Sequence, residues 1–459
     1  MTKDKINSSL ENKTFYKEMF SLAIPIGMQN LLIALIGATD AIMLGRLSQD
    51  AVSAVSLANQ VVFIMNLFVF SVIGGGGVLL SQYWGKNDKE MVRNVFSKTI
   101  KWSFGITLIF FLFATLIPDC LMRIYTPDQN LIEIGASYLR AVAPSYLFVG
   151  ITQCYYTMMK LEDKAKKSVV ISVFSLIADV VLDIFLIYGI GNFEGFGADG
   201  SAYSTVGVEL VALIWVIAES YKGESIRPTV KSLKWRSKDI TKDIIKISAP
   251  MLASGLAWGL SITMHSVIMG HLGSDATAAS SITSVALEIV TCICKGISTG
   301  AGIMIGKLLG QNLFDKAKEY GRKFSHISFV VGGIHSVLML ILIPVVTSFF
   351  ILTETAKEYL IYMLIFNALY VFAYSINTIV VCGVFPAGGD SKYDATSVIL
   401  ATWCFALPLA LLGTFLFNWN VMVVYILMCA DEIIKVPFIY PHYKKYKWVK
   451  NLTKETSEI

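Results

Sequence analysis

Charge is what this sequence has least of. Only 15% of its 459 residues are Asp, Glu, Lys or Arg, against 55% hydrophobic ones. With a mean hydropathy of +0.63, there is too little charge to cover a soluble protein of this size. Long polar insertions are absent apart from residues 221–245, and no apolar run alternates with period two, which argues against the strands of a membrane barrel. The seven cysteines (Cys120, Cys154, Cys292, Cys294, Cys382, Cys404, Cys429) lack metal-type spacing and read as small apolar packing residues. The five histidines (His265, His271, His326, His335, His442) form no metal-ligand pattern, and no serine–histidine or metalloprotease motif lies in the apolar runs. A membrane-embedded enzyme is therefore disfavoured, and neither a metal nor a cofactor is expected. No cleavable signal peptide is evident, because the polar residues 1–17 lead straight into a full-length apolar span.

What the chain does have is apolar runs of about 20 residues, the length that crosses about 30 Å of hydrocarbon. Twelve recur, at approximately 18–43, 54–82, 97–118, 131–158, 168–190, 200–220, 246–270, 278–305, 324–350, 357–384, 394–416 and 419–440. Unpaired backbone groups are costly in lipid, so these runs read as helices. The expectation is an all-α polytopic membrane protein with 12 transmembrane helices. Placing the amino terminus in the cytoplasm puts all but five of the 38 Lys and Arg in the tails, in the loops after even-numbered spans, or at adjoining span ends. Arg46, Arg123 and Lys357 fall outside, and Arg140 and Lys295 lie within spans. This bias follows the positive-inside rule and predicts a multi-pass plasma-membrane protein with both termini cytoplasmic. The formal charge of +5 is then a topology signal, with no nucleic-acid partner implied.

The chain is also written twice. The stretch from about Leu22 to Lys98 reappears, without a gap, 225 positions later. Pro25 matches Pro250, Gly45 matches Gly270, Asp50 matches Asp275, Gly75 matches Gly300, Gly85 matches Gly310 and Asn87 matches Asn312, whereas Asp40 falls opposite His265. Most of the kept residues fix backbone shape and close helix contact, so architecture was retained while interiors diverged. Two six-helix bundles are predicted, 1–220 and 246–440, joined by a cytoplasmic linker 221–245 and followed by a cytoplasmic tail 441–459. Six is even, so the halves must be related by a pseudo-twofold axis along the membrane normal. Two lobes flanking a cleft is an architecture for alternating access, and twelve helices can complete the cleft in a monomer. Pro25 and Pro250 each remove a backbone hydrogen bond near the start of a half, giving static curvature or, at Pro25, a hinge. The run Gly74 to Gly77 suits close helix packing, since no lysine–serine signature follows a strand.

Ionisable side chains at membrane depth cost at least about 2.5 kcal/mol and are functional candidates by default. The first span carries Asp40, the fifth Asp179 and Asp183, the sixth Glu209, the eighth Glu288 and the twelfth Asp431 and Glu432. At about 1.5 Å per residue, Asp40 and Asp183 lie at similar depth, with Asp179 one turn deeper. Asp179 and Asp183 share a helix face, as do Ser201 and Thr205 of the sixth span. Three carboxylates and two hydroxyls at one height suit a cation or proton site. Carboxylates crowded in low dielectric resist ionising together, so protons stay until a cation arrives. The competing reading is that these groups hydrogen-bond helices within a solvated funnel. Glu209 continues the Ser201–Thr205 face and is a candidate substrate-lining residue. Glu288 and Lys295, seven apart, read as a structural pair. Asp431 and Glu432, with Lys435, read as interfacial charges or an ion pair outside the site. The carboxy-terminal half supplies Trp258, Met264, His265, Tyr370, Tyr374 and Trp403, an aromatic, polarisable interior suited to flat or cationic organic ligands, with packing as the alternative.

Several runs carry a family resemblance: Leu22-Ala-Ile-Pro-Ile-Gly-Met-Gln-Asn-Leu, Ala38-Thr-Asp-Ala-Ile-Met-Leu-Gly-Arg-Leu, Ala51-Val-Ser-Ala-Val, Tyr138-Leu-Arg and Gly200-Ser-Ala-Tyr-Ser-Thr. Together they resemble multidrug and toxic compound extrusion (MATE) transporters across essentially the whole chain. The resemblance implies efflux of small organic cations or other amphipathic compounds, driven by H⁺ or Na⁺. It is closest to the DinF-like branch, whose first-helix aspartate is matched by Asp40, whose fifth-helix asparagine and aspartate are matched by Asp179 and Asp183, and whose sixth-helix threonine is matched by Thr205. The NorM type instead uses a glutamate in its seventh helix and an aspartate in its tenth, and the corresponding regions here, around Trp258 and Tyr374, are uncharged. Asp179 replaces the branch's asparagine and leans the coupling toward protons. Pro386 stands where the family commonly has an arginine. Three alternatives stay in play: a lipid-linked precursor flippase of the same superfamily, for which a strongly cationic cavity is expected, a channel and a membrane enzyme.

Overall fold

The computed structural model describes residues 2–189, 194–350 and 352–454, except the side chains of 2–10, 34, 36–38 and 40–42. Every regular element among them is helical. In chain order they are α1 (Thr2–Leu47), α2 (Gln49–Gly85), α3 (Lys89–Leu116), the short α4 (Pro118–Tyr125), α5 (Gln129–Leu161), α6 (Ala165–Tyr188), α7 (Ala198–Ser220) and the short α8 (Val230–Lys234). The second half holds α9 (Lys238–Leu272), α10 (Ser274–Gly310), α11 (Phe314–Phe349) and α12 (Glu354–Ile376). The last of these runs through a π-helical segment, Asn377–Val384, into α13 (Phe385–Ala387). Then come α14 (Lys392–Val398), a second π-helical segment, Ile399–Ala406, α15 (Leu407–Phe415), α16 (Val421–Met428) and α17 (Ala430–Lys444). Ten of these helical stretches, among the described residues, are long and apolar enough to cross a membrane.

Local chemistry sets the helix ends. Ser48, Asp88 and Thr353 accept from the backbone N–H three residues on, at 3.0, 3.0 and 3.1 Å, satisfying donors that a helix start leaves unpaired. The duplication extends to these boundaries, for α2 and α10 are both 37 residues long and begin 225 positions apart. The turns that follow them are the same turn, with Asn87 at φ 61° and Asn312 at φ 59°, the left-handed geometry that asparagine tolerates better than most residues. Two features lay beyond the sequence pattern: α1 runs through polar residues back to Thr2, and α9 begins at Lys238, inside the expected linker.

The chain forms two compact units, Leu31–Ile245 and a second made of Met1–Asn30 with Lys246–Glu458. The first half of α1 packs in the second unit. Ala23 and Leu22 are buried, and Gly296 of α10 comes so near that a Cβ on it would stand 2.4 Å from the Ala23 carbonyl oxygen. A Cβ on Gly27 would stand 3.2 Å from the Ile293 Cα. Nearer its start, α1 packs Phe15 edge-on against Tyr320 and Phe324 of α11. Pro25 is half-buried within this contact.

Candidate functional site

Within Leu31–Ile245, α6 and α7 are forced together by Gly200, where a Cβ would lie 2.3 Å from the Leu186 carbonyl oxygen. That approach sets the acidic face of α6 against the hydroxyl face of α7. Asp183 is 1% exposed and Asp179, one turn away, is half-buried. The hydroxyl that reaches Asp179 is that of Ser204, which donates to the carboxylate Oδ1 at 2.6 Å and also lies 3.1 Å from the backbone carbonyl of Asp179. Ser204 is fully buried, and sequence spacing had singled out its neighbours instead. Ser201 is buried, while the Thr205 hydroxyl donates to the Ser201 carbonyl at 3.0 Å, satisfying its own helix. Glu209 is half-buried, within electrostatic reach of Asp179 and of Tyr156 on α5. The carboxy-terminal end of α6 is tied to the second half of α1 by Tyr188, whose hydroxyl donates to the Met43 carbonyl at 2.5 Å. Asp40 is on the helical stretch just before Met43, but its side chain lies outside the described residues.

The carboxy-terminal unit holds a cavity of about 280 Å³, lined in part by Trp258 and Ser254 of α9, Tyr374 of α12 and Asp394 of α14. Asn377, Glu432 and Lys435 add to its polar side. Lys435 lies 2.7 Å from Glu432 and 3.9 Å from Asp431, and all three are buried. Both π-helical segments serve this group: the Asn377 amide donates to the carboxylate and to the backbone carbonyl of Glu432, and the Thr402 hydroxyl donates to Asp431 at 2.7 Å. Such segments often mark functional positions, because the extra residue per turn re-aims side chains. The interior read from sequence as aromatic and polarisable thus also holds three carboxylates, Glu432, Asp431 and Asp394, around one lysine. Asp431 and Glu432, read from sequence as interfacial charges or an ion pair with Lys435, do pair with it, but the pair is buried. The spacing of Asp431 and Lys435 on one helix face was the available signal, whereas Asp394, at the start of its span, gave none.

The other sequence candidates of this half, Met264, His265, Tyr370 and Trp403, are not among the residues lining this cavity. Tyr370 and Tyr374 stack with ring centroids 6.0 Å apart, but Tyr370 and Met264 pack against the buried core of the unit, which includes Ile268, Leu364 and Tyr425. Trp403 donates its indole N–H to the Ala257 carbonyl at 3.0 Å. His265 is half-buried. Glu288 and Lys295 approach to 3.9 Å, consistent with a loose pair. Among the described residues no group of three or more His, Cys, Asp or Glu side chains is arranged to hold a metal ion.

A family model, MatE, matches residues 25–185 and 250–412, one stretch in each half of the duplication. The chain is 22% identical over 440 residues to the probable multidrug resistance protein YoeA of Bacillus subtilis (strain 168), covering 95% of this chain and 94% of that protein. It is 23% identical over 458 residues to the probable multidrug resistance protein NorM of Thermotoga maritima, covering 96% and 95%. In fold it is similar to a solved mutant of the Vibrio cholerae MATE transporter VcmN, with a TM-score of 0.87 at 16% identity over 96% of this chain and 98% of that one. The duplicated helical architecture and the two-part family match together make this chain a member of the MatE family of membrane transporters.

Proposed function

We propose that this chain is a secondary antiporter that exports small organic cations or amphipathic compounds in exchange for H⁺ or Na⁺ by alternating access. The observation that carries the reading is the pairing of Asp183, buried on α6, with Asp179, which accepts from Ser204 across the α6–α7 contact. A carboxylate held at that depth is stable when protonated or when a cation sits beside it, so its occupancy follows the gradient. Asp40, on the first span, completes the expected group. In the carboxy-terminal unit, three carboxylates around a single lysine leave an excess of negative charge, and Trp258 and Tyr374 supply aromatic faces. An organic cation is stabilised by both. A flippase for anionic lipid-linked precursors would call for the opposite charge balance. Organic-cation release, external cation binding and a bend of α1 near Pro25 are then steps of one cycle, carried out by a monomer in the plasma membrane with both termini in the cytoplasm.

The test is efflux of a fluorescent organic cation from proteoliposomes under an imposed pH or Na⁺ gradient, comparing wild type with Asp40→Asn and Asp183→Asn. Drive by either gradient that disappears in both variants is the expected outcome. Efflux that ignores both gradients, or that persists in Asp183→Asn, overturns the assignment.

A further inference from the structure

The segment between the halves does more than connect them. Within Leu31–Ile245 it folds against the inner end of α3 and lines an open cavity of about 660 Å³. Lys98 and Lys101 enter from α3, Arg236 from the turn after α8, and Lys238 and Lys242 from the first turns of α9, while no carboxylate lines the cavity. Five cations gathered with no carboxylate among the lining residues repel one another, and an anion relieves the repulsion.

Two of these lysines are fixed in place. Lys98 is 9% exposed; its ammonium donates to the Ser237 carbonyl and lies 5.1 Å from the centre of the Trp235 ring. The Lys101 ammonium donates to the Leu233 carbonyl. Ser237 also caps α9, its hydroxyl accepting from the Ile240 N–H at 3.2 Å. The positive end of a 35-residue helix is therefore at the same place, and helix N-termini favour anions. Beside the cations, Trp102 is 40% exposed and Ile245 45% exposed, an apolar shoulder of the kind that meets lipid at the membrane boundary. By the distribution of Lys and Arg this is the cytoplasmic face. A ligand that satisfies cations, helix end and apolar shoulder together has an anionic head and an acyl tail.

We propose that this cavity binds the phosphate headgroup of an anionic phospholipid of the inner leaflet, with the phosphodiester between Lys98, Lys101 and the start of α9 and an acyl chain along Trp102 and Ile245. The site is separate from the carboxylates of α6 and is read out by binding alone, independently of transport.

The experiment is native mass spectrometry of the full-length chain in detergent with equal amounts of phosphatidylglycerol and phosphatidylcholine. Wild type retains phosphatidylglycerol preferentially. The Lys98→Gln/Lys101→Gln/Lys242→Gln variant loses affinity for it by on the order of 100-fold, about fivefold per cation near the surface, while the corresponding Lys→Arg variant keeps the preference. Equal retention of the two lipids by wild type, or an undiminished preference in the Gln variant, overturns the proposal. So does full displacement of phosphatidylglycerol by millimolar inorganic phosphate, which reassigns the cavity to a free anion. Should the Gln variant not fold, brominated phosphatidylglycerol provides a second reading on native charges. It quenches tryptophan fluorescence more than brominated phosphatidylcholine does, and the excess disappears in Trp102→Phe/Trp235→Phe, which removes both tryptophans of the cavity; an excess that survives in that variant overturns the proposal equally.

Discussion

Lys435 is enclosed with Asp431 and Glu432, and at the scale of single residues it is the one most exposed to substitution. Removing it leaves two buried carboxylates without their cation, a change that costs about 3–5 kcal/mol. Lys435→Met is therefore expected to lower the melting temperature in detergent sharply, with part of the loss recovered in Lys435→Met/Glu432→Gln; an unchanged melting curve contradicts the burial of this group. Ser204 is the corresponding residue in the other unit. A hydrogen bond to a charged group contributes about 1.5–3 kcal/mol, so Ser204→Ala should change the half-saturating concentration of the coupling ion by about tenfold or more. The same substitution should leave the protein folded and gradient-driven, whereas Ser201→Ala and Thr205→Ala, at hydroxyls that do not reach Asp179, should do less in the same proteoliposome assay. The carboxylates of α6 were legible in the sequence because charge inside an apolar run is conspicuous. Ser204 was not, since a serine among Ser201, Tyr203 and Thr205 carries no mark of which hydroxyl faces the next helix. That choice was made by the rotation of α7 about Gly200, a tertiary fact.

Among the elements, α1 meets α10 in a close helix contact, and glycine makes it. The Cβ that Gly296→Ala adds would meet the Ala23 backbone, which cannot move aside as a side chain could. Overpacking of this kind costs about 1–3 kcal/mol, visible as a lower melting temperature. Gly45→Ala is the matched control, because nothing lies within 4 Å of the added atom, and it should be neutral or slightly stabilising. The reverse ranking would mean that α1 does not pack as described. Helix identity was readable from hydropathy, and the repeat offset of 225 anticipated matching boundaries for α2 and α10. The π-helical segments were not readable, for each is defined by one more residue per turn, and neither Asn377–Val384 nor Ile399–Ala406 departs from an ordinary apolar run in composition. They are set by polar partners on α17 that lie 29 to 55 residues further along the chain.

For the whole molecule, the orientation inferred from Lys and Arg can be checked through Cys120. It is exposed on α4, between the third and fourth spans, and should face outward. In a variant retaining Cys120 as its single cysteine, a membrane-impermeant maleimide should label intact cells, whereas a cysteine introduced at Lys222 should label only after permeabilisation. Labelling of Lys222→Cys alone from outside inverts the topology, and labelling of both from outside contradicts the three spans placed between them. The division of α1 between units also bears on how the protein is made. Residues 1–30 leave the ribosome well before their packing partner α10, which is synthesised roughly 270 residues later, and at about 5–20 residues per second the delay is roughly 15–50 s. During that interval the face around Ala23 and Gly27 has only lipid or a chaperone to meet, so a stretch made long before α10 stays unfinished until α10 arrives.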